Sequence, residues 1–192
     1  MQDPMQAIPQ KQIRAHYDVH TIRVYQAYPD VIADSALAHG TFVSPPFKLE
    51  RMTWIKPSFL WMMYRSGWGL KDAGQNRILA IDISHEGFAW ALANSCPSHP
   101  EPGQGKEEWE RIKNASPVRI QWAPERDLHL EPLPHRAIQV GLGPEASRRY
   151  VGQWIRRITE VTGLAHDIHA LVQAGELQEA QRRLPAEREY IP

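Results

Sequence analysis

The fold of this chain has to enclose a near-continuous apolar run, RILAIDI at residues 77–83. Such runs are typical of strands that are covered on both faces, so the sequence predicts a buried strand here. Ser84 is a suitable N-cap for a helix over 86–94 that follows it. With 192 residues, 42% of them hydrophobic, the chain is long enough to bury this strand in one domain without a disulfide or a structural metal.

Further local signals predict strands and helices before and after this run. Residues 21–28, TIRVYQAY, have the β-branched and aromatic content of a strand. Pro29 then begins a short helix that extends to His39, and Gly40 ends it as the usual C-cap residue. Additional elements are predicted as an extended segment over 51–56, helices over 58–66 and 106–113, and strands over 118–122 and 136–142.

The last third of the chain is predicted to be helical. Apolar residues recur on one helical face from Val151 to Val161, which predicts a helix closed by Gly163. Two shorter helices are predicted over 164–174 and 176–184. Together these helices form a predicted C-terminal cap over 144–184, and prolines and glycines predict ordered loops over 96–105 and 123–135.

These elements predict a single α+β domain over residues 13–192. It combines a small mixed or antiparallel sheet with flanking helices and the helical C-terminal cap. Residues 1–12, which are Gln-rich and contain two prolines, are predicted to be a flexible N-terminal arm.

Composition excludes several classes of protein. The 22 Lys and Arg residues balance the 22 Asp and Glu residues, which argues against a protein that coats nucleic acid through bulk charge. The single cysteine, Cys96, excludes an internal disulfide and a cysteine-based zinc site. No apolar run approaches the ~20 residues of a membrane span and no N-terminal signal is present, so we expect a cytoplasmic protein without membrane association.

The densest combination of basic and aromatic side chains lies in residues 51–68, RMTWIKPSFLWMMYRSGW. The surrounding residues 45–80 hold six basic and two acidic side chains, so a locally positive surface forms although the whole chain is neutral. Trp61 and Arg65 are four residues apart on the predicted helix and can stack.

This segment supplies most of the candidate ligand-binding residues. Arg51, Lys56 and Arg65 could neutralise a phosphate, and Trp54 and Tyr64 could stack on a planar ring. The alternative is a buried aromatic helix that serves packing alone. Packing accounts less well for the three basic side chains, because such charges are rarely buried without a partner.

Two further stretches hold candidate residues. Arg14 and Tyr17 lie just before the first predicted strand, where loops often carry binding residues. His16 and His20 could ligate a metal, but a third ligand at suitable spacing is lacking, so no metal site is expected. Glu125 follows a predicted strand on a turn held by a proline, where a carboxylate can stabilise positive charge on a sugar carbon. The alternative for Glu125 is an ordinary Glu–Arg surface turn.

Familiar catalytic motifs are absent from the sequence. It contains no GxxxxGK[ST], no GxGxxG, no GxSxG and no HExxH. Their absence argues against an ATP-driven enzyme, a serine hydrolase and a zinc hydrolase of the common types.

Four long runs together resemble an uncharacterised family with members in bacteria, fungi and other eukaryotes. They are IRAHYDVHTIRVYQAYPDVIADSALAHGTF, RMTWIKPSFLWMMYRSGW, PVRIQWAPERD and RAIQVGL. The resemblance extends from about Arg14 to about Thr162. The family is catalogued only as a domain of unknown function, so it implies no activity.

Part of the first run also resembles a second family, and this resemblance implies an activity. VYQAYPDVIADSALAHGTF is similar to the opening of ADP-ribosyltransferase folds, in which a first strand precedes a short helix and a glycine. That superfamily uses NAD, held by an Arg or His of the first strand, an aromatic segment and a late Glu. The resemblance implies that Gln26 takes the first-strand position, residues 54–64 the aromatic segment and Glu125 the catalytic position.

The leading hypothesis is therefore an enzyme of the ADP-ribosyltransferase type. It would bind NAD or a related nucleotide and cleave it at the ribose anomeric carbon, with Glu125 stabilising the oxocarbenium-like cation, and a nucleic acid or a protein could be the acceptor. The alternative is a module that binds or processes single-stranded RNA or DNA through the basic and aromatic residues of 51–77. A third option is an interaction domain whose aromatic patch binds a protein. The oligomeric state does not follow from the sequence.

Overall fold

The computed structural model describes residues 9–192, so most of the predicted arm over 1–12 lies outside the described residues. The strands, in chain order, are β1 Arg14–Ala15, β2 Thr21–Tyr28, β3 Thr53–Ile55, β4 Arg77–Ser84, β5 Ser95–Pro97, β6 Val118–Arg126, β7 Pro132–Leu142, β8 Ile155–Glu160 and β9 Arg188–Glu189. The α-helices are α1 Asp30–His39, α2 Phe59–Ser66, α3 His85–Ala93, α4 Lys106–Ala115, α5 Pro144–Arg149, α6 Thr162–Gln173 and α7 Leu177–Arg183. A 3₁₀ turn at Ala73–Gln75 and a π-helical turn at Tyr150–Trp154 complete the order. The predicted single α+β domain is confirmed, built on several small sheets.

The predicted buried strand is the centre of a three-stranded antiparallel sheet with the order β2–β4–β8. Ile78, Leu79, Ala80, Ile81 and Ile83 of β4 are all fully buried. A buried strand has backbone N–H and C=O groups on both edges that need partners, and β2 and β8 supply them.

The predicted helix over 151–161 is wrong, because this stretch turns into a strand. The π-helical turn ends at Trp154, and β8 then pairs with β4, with Ile158 opposite Ile81. The β-branched residues of the run fit a strand as well as a helical face, and the free edge of β4 decides between the two. The C-terminal part is therefore helical only in α5, α6 and α7 and their turns, with a strand between them.

A four-stranded sheet with the order β3–β7–β6–β5 packs beside the first. Here the predicted loop over 123–135 is wrong in its outer parts, because β6 and β7 form a long hairpin with a turn between Arg126 and Pro132. Pro124 is tolerated opposite Arg136 because β5 pairs with β6 only near its start, so this part of β6 is an edge. The predicted loop over 96–105 is correct beyond the short strand β5.

The short strands β1 and β9 pair with each other, and nothing in the local sequence predicted this. Arg14 lies opposite Glu189, and the Tyr190 N–H donates to the Ile13 carbonyl oxygen at 2.8 Å. This pairing brings the segment around residues 185–190 against the N-terminal part of the domain.

The helix predictions outside 151–161 are confirmed to within a few residues. Gly40 and Gly67 end α1 and α2 with φ values of 71° and 55°, in the left-handed region that favours glycine. The Ser84 side chain caps α3. Helix α2 is the buried aromatic helix weighed above, since Phe59, Trp61, Met62, Met63 and Ser66 all lie in the interior. No helix within residues 9–192 combines the length and apolarity needed to cross a membrane.

Candidate functional site

Five of the predicted site residues line one cavity of about 690 Å³ between β2, β3 and α2: Gln26, Arg51, Trp54, Lys56 and Arg65. Lys48 adds a fourth basic side chain to the lining, and none of the described lining residues is acidic. We call it the basic cavity. Its four basic residues lie within residues 48–65, a segment that folds back on β2, so their closeness depends mainly on local chain geometry.

Lys56 forms part of the floor of the basic cavity. Its side chain is 8% exposed, and its Nζ lies 3.2 Å from the carbonyl oxygen of Trp54. Within residues 9–192 no carboxylate lies at ion-pairing distance from it. Burial, reinforced by the positive charge of Arg65, lowers the pKa of Lys56 to about 7. A large share of the molecules therefore carry a neutral amine at physiological pH.

The backbone holds Lys56 in place from both sides. On one side, the N–H of Tyr25 in β2 donates to the Lys56 carbonyl oxygen at 2.8 Å. On the other side, the Ser58 hydroxyl caps α2 by accepting from the Trp61 N–H at 3.1 Å. The backbone of Lys56 is therefore fixed on one side by its hydrogen bond to β2 and on the other side by the start of α2.

Gln26 also lies on the floor, and its amide is committed to the protein. Its Nε2 donates to the Tyr28 hydroxyl at 2.8 Å and to the Trp54 carbonyl oxygen at 3.3 Å. Its Oε1 accepts from the Tyr150 hydroxyl at 2.7 Å. Both amide hydrogens are thus in use, and only the second lone pair of the oxygen remains for a ligand. In this structure Gln26 joins β2 to the chain around Trp54 and Tyr150.

The rim of the basic cavity carries exposed cations. Lys48, Arg51 and Arg65 are all exposed, in contrast to Lys56 below them. Trp54 is half-buried beside them, with its ring against Gly141, where a Cβ atom would lie 2.7 Å from the ring. The predicted stacking of Arg65 on Trp61 is confirmed, with Cζ 5.6 Å from the ring centroid.

Glu125 and Arg14 lie in a different cavity, of about 470 Å³, which shares no lining residue with the first. The Oε1 of Glu125 accepts from the Ser58 hydroxyl at 2.7 Å and from the Arg126 N–H at 2.9 Å. Arg14 donates to the carbonyl oxygen of Glu187 at 3.2 Å. We call this the carboxylate cavity. The structure therefore separates Glu125 from the basic residues with which the sequence grouped it.

Sequence reasoning missed Glu187, the second acid of the carboxylate cavity. Its Oε2 accepts from the Phe59 N–H at the start of α2, at 2.9 Å. Burial raises the pKa of Glu187 to about 8, and the negative charge of nearby Glu125 adds to the shift. No local signal could have found this residue, because the β1–β9 pairing brings it there.

The two remaining candidates, Tyr17 and Tyr64, lie outside both cavities. Tyr17 belongs to an aromatic cluster with Tyr190, at 5.0 Å between ring centroids, and its hydroxyl donates to the Glu189 carbonyl oxygen at 2.6 Å. Tyr64 is 41% exposed, and the Arg126 guanidinium lies over its ring at 3.7 Å. Tyr17 thus anchors the C-terminal segment, and Tyr64 packs on the hairpin. Within residues 9–192 no group of three His, Cys, Asp or Glu side chains could hold a metal ion.

Comparison with known proteins gives a family and no activity. The family described as Domain of unknown function (DUF4291) matches residues 12–190. No curated protein matches the chain. The match spans both cavities and every helix and strand described above. The chain therefore belongs to the DUF4291 family.

Proposed function

We propose that this protein binds a phosphate-bearing ligand with a planar group, such as NAD, ADP-ribose or a related nucleotide, in the basic cavity. The observation that carries the proposal is the group of three exposed cations, Lys48, Arg51 and Arg65, around the buried amine of Lys56. Among the described residues, four basic side chains and no acidic one line the cavity. Crowded cations in proteins are normally paired with acidic groups, so the three rim cations lack a counter-charge that a ligand would supply.

A phosphate group fits this lack of counter-charge well. Arg51 and Arg65 can each offer two parallel N–H donors to phosphate oxygens, which gives strong and directional contacts. At the exposed rim, where water weakens electrostatic attraction, one phosphate charge at ~4 Å from one basic side chain gains about 1–4 kcal/mol. The exposed rim would therefore hold the phosphates, and the rest of the ligand would enter toward Lys56.

The size and lining of the cavity suit the rest of a nucleotide. A volume of about 690 Å³ falls within the range of ordinary small-molecule sites. The half-buried Trp54 and the neighbouring Tyr28 offer aromatic surface for a base or a nicotinamide. The resemblance of VYQAYPDVIADSALAHGTF to the opening of ADP-ribosyltransferase folds makes NAD and ADP-ribose the first ligands to test.

Cleavage of the ligand at the ribose anomeric carbon is the finer part of this proposal. It would require the ligand to extend from the basic cavity past Ser58, because Glu125 lies on the far side of that residue. One oxygen of Glu125 already accepts from two donors, which fixes the orientation of the carboxylate. This orientation is compatible with a role in stabilising a cation and equally with a structural role at the start of α2.

A module for single-stranded nucleic acid has less support. Trp61 and Trp68 are buried in the protein core and present no free face to a base. The exposed cations Lys48, Arg51 and Arg65 all line one cavity of the size of a small-molecule site. Nucleic-acid binding is therefore an outcome to be examined in the same experiment.

Binding can be tested by calorimetric titration with NAD, ADP-ribose, ATP and a short single-stranded oligonucleotide, at low and high salt. Arg51→Gln should weaken binding of the nucleotide about tenfold or more, because a charge-assisted contact contributes roughly 1.5–3 kcal/mol. Arg111→Gln, an exposed site on α4, is the matched control and should leave affinity unchanged. Equal affinity in the Arg51→Gln and wild-type proteins would contradict the proposed site, and binding of the oligonucleotide alone would favour the module.

A further inference from the structure

We infer that Lys56 is a nucleophilic amine that forms an imine with the aldehyde of a reducing phosphorylated sugar. The inference rests on the proposed function, since the rim cations are what bring the phosphate of the sugar to the basic cavity. It goes further by assigning a covalent step to the floor of that cavity.

The hydrogen bonding of Lys56 favours a neutral amine. A charged ammonium has three donors, and in this structure its Nζ has one acceptor, the Trp54 carbonyl oxygen at 3.2 Å. Two buried N–H groups of a cation would then lack a partner, which is costly in the interior. A neutral amine makes the same contact with one N–H, leaves one N–H instead of two without a protein partner, and keeps its lone pair for the space of the cavity.

The positively charged groups around Lys56 also favour the neutral amine. Lys48 and Arg51 line the cavity from the segment before β3, and Arg65 lines it from α2. The titratable neighbour on β2 is Tyr28, a phenol whose pKa is raised by burial, so it remains neutral. No acidic side chain among the described lining residues would hold a proton on the amine. A lysine desolvated beside another cation is a known way of making a nucleophile.

The position of Lys56 relative to the rim defines the ligand class. The cations that would hold a phosphate are exposed, and the amine lies below them, so the reacting carbon must be separated from the phosphate. Ribose 5-phosphate and the terminal ribose of ADP-ribose meet this requirement, because each opens to an aldehyde at its anomeric carbon. NAD has no free aldehyde while nicotinamide is attached, so it would bind without forming an imine.

The step balances without an oxidant or a reductant. The Nζ lone pair attacks the aldehyde carbon, a C–N bond forms, and the carbonyl electron pair moves to oxygen, which takes up a proton. The nitrogen gives up one proton to solvent to form the neutral carbinolamine, whose hydroxyl takes up one proton from solvent and leaves as water. The resulting iminium then loses its N–H proton to give the imine. Hydrolysis of the imine reverses the sequence and regenerates the amine.

Reductive trapping tests the inference directly. The full chain is incubated at about pH 7.5 with ribose 5-phosphate and cyanoborohydride, which reduces an imine to a stable secondary amine. A pKa of about 7 leaves Lys56 neutral in roughly three quarters of the molecules, against about one in a thousand for an ordinary lysine. Peptide mapping should find a single adduct on Lys56, with a rate that saturates as the sugar phosphate is raised.

Variants and controls separate this site from general reaction of surface lysines. Lys56→Met and Lys56→Arg should remove the adduct, whereas Lys71→Met, at an exposed lysine outside the cavity, should retain it. Labelling that is spread over several lysines, or an adduct that survives in Lys56→Met, would overturn the inference. Urea unfolding of each variant shows whether a lost adduct reflects a lost fold.

A second measurement distinguishes failure of the inference from failure of the proposed function. Ribitol 5-phosphate carries the same phosphate and has no aldehyde, so its affinity reports binding alone. If it binds and Arg51→Gln weakens that binding, but no adduct forms on Lys56 with ribose 5-phosphate, the covalent step is wrong and the binding site stands. If neither it nor the nucleotides bind, the proposed function fails as well.

Discussion

Replacing Lys56 with methionine should change how the stability of the protein depends on pH. The pKa of this amine is about 7 in the folded protein, while an unfolded lysine has a pKa of about 10.4. The unfolded chain therefore holds the proton more tightly across this interval, and folding releases it. Stability contributed through this group rises with pH between the two values and is flat below the lower one.

The size of the effect follows from the two pKa values. Between about pH 7 and pH 9 the titration of Lys56 should raise the free energy of unfolding of the wild-type protein by about 2 kcal/mol. Lys56→Met lacks the group and cannot show this rise. The pKa of Glu187 is raised, so its titration lowers the free energy of unfolding as the pH rises. Glu187 is present in both proteins, and its effect therefore cancels in the difference between their free energies of unfolding.

The assay is urea unfolding followed by tryptophan fluorescence, with wild-type and Lys56→Met proteins compared at both pH values. The advantage of Lys56→Met over the wild-type protein should shrink by about 2 kcal/mol as the pH is raised. Lys71→Met is the matched control, because this exposed side chain should give a difference that does not vary with pH by more than about 0.5 kcal/mol.

A constant difference between wild-type and Lys56→Met proteins would refute the reasoning. It would mean that Lys56 keeps its proton in the folded state, as an exposed lysine does. The amine could then still contact a phosphate, but it could not supply a lone pair near neutral pH, and the imine would lose its physical basis.

Three further changes test other parts of the structure. Ser58→Ala removes the cap of α2 and should cost about 1–2 kcal/mol in urea unfolding, whereas Ser58→Thr should retain most of it. Gly87→Ala would place a Cβ atom 2.3 Å from the Trp154 ring, so a drop in melting temperature equivalent to about 1–3 kcal/mol is expected, and Gly163→Ala, which faces open space, should show none. Relative to the wild-type protein, Glu187→Gln should gain about 2–3 kcal/mol from about pH 6 to pH 9, because the raised pKa of Glu187 stabilises the folded wild-type protein mainly at low pH, and the titration of Lys56 is common to both proteins.

The parts of the fold that the sequence predicted well have strong local signals. The strand over 21–28 has its observed bounds, and the helix before Gly40 begins and ends where proline and glycine indicate. The basic cavity was foreseeable in part for the same reason, since Arg51, Lys56 and Arg65 lie close together in the chain.

The parts that were missed depend on partners far away in sequence. Strand β8 carries a pattern that fits either a strand or a helix, and the free edge of β4 decides. Glu187 is 128 residues from the Phe59 N–H that it accepts from, and no periodicity connects them. For Glu125 the predicted turn is wrong, because the residue lies within β6, and its separation from the basic cavity follows from the path of the whole hairpin.

The pairing of β1 with β9 has a consequence for synthesis on the ribosome. Arg14 emerges 173 residues before Glu187, the residue whose carbonyl oxygen it contacts. At ordinary elongation rates this interval is roughly 10–35 s, during which the sheet around β4 can already form. The carboxylate cavity is then the last part of the domain to close. In a nascent chain stalled before residue 187, the first N–H of α2 would face water instead of the Glu187 carboxyl group. Such a partly folded chain would be open to attack by a protease or to binding by a chaperone.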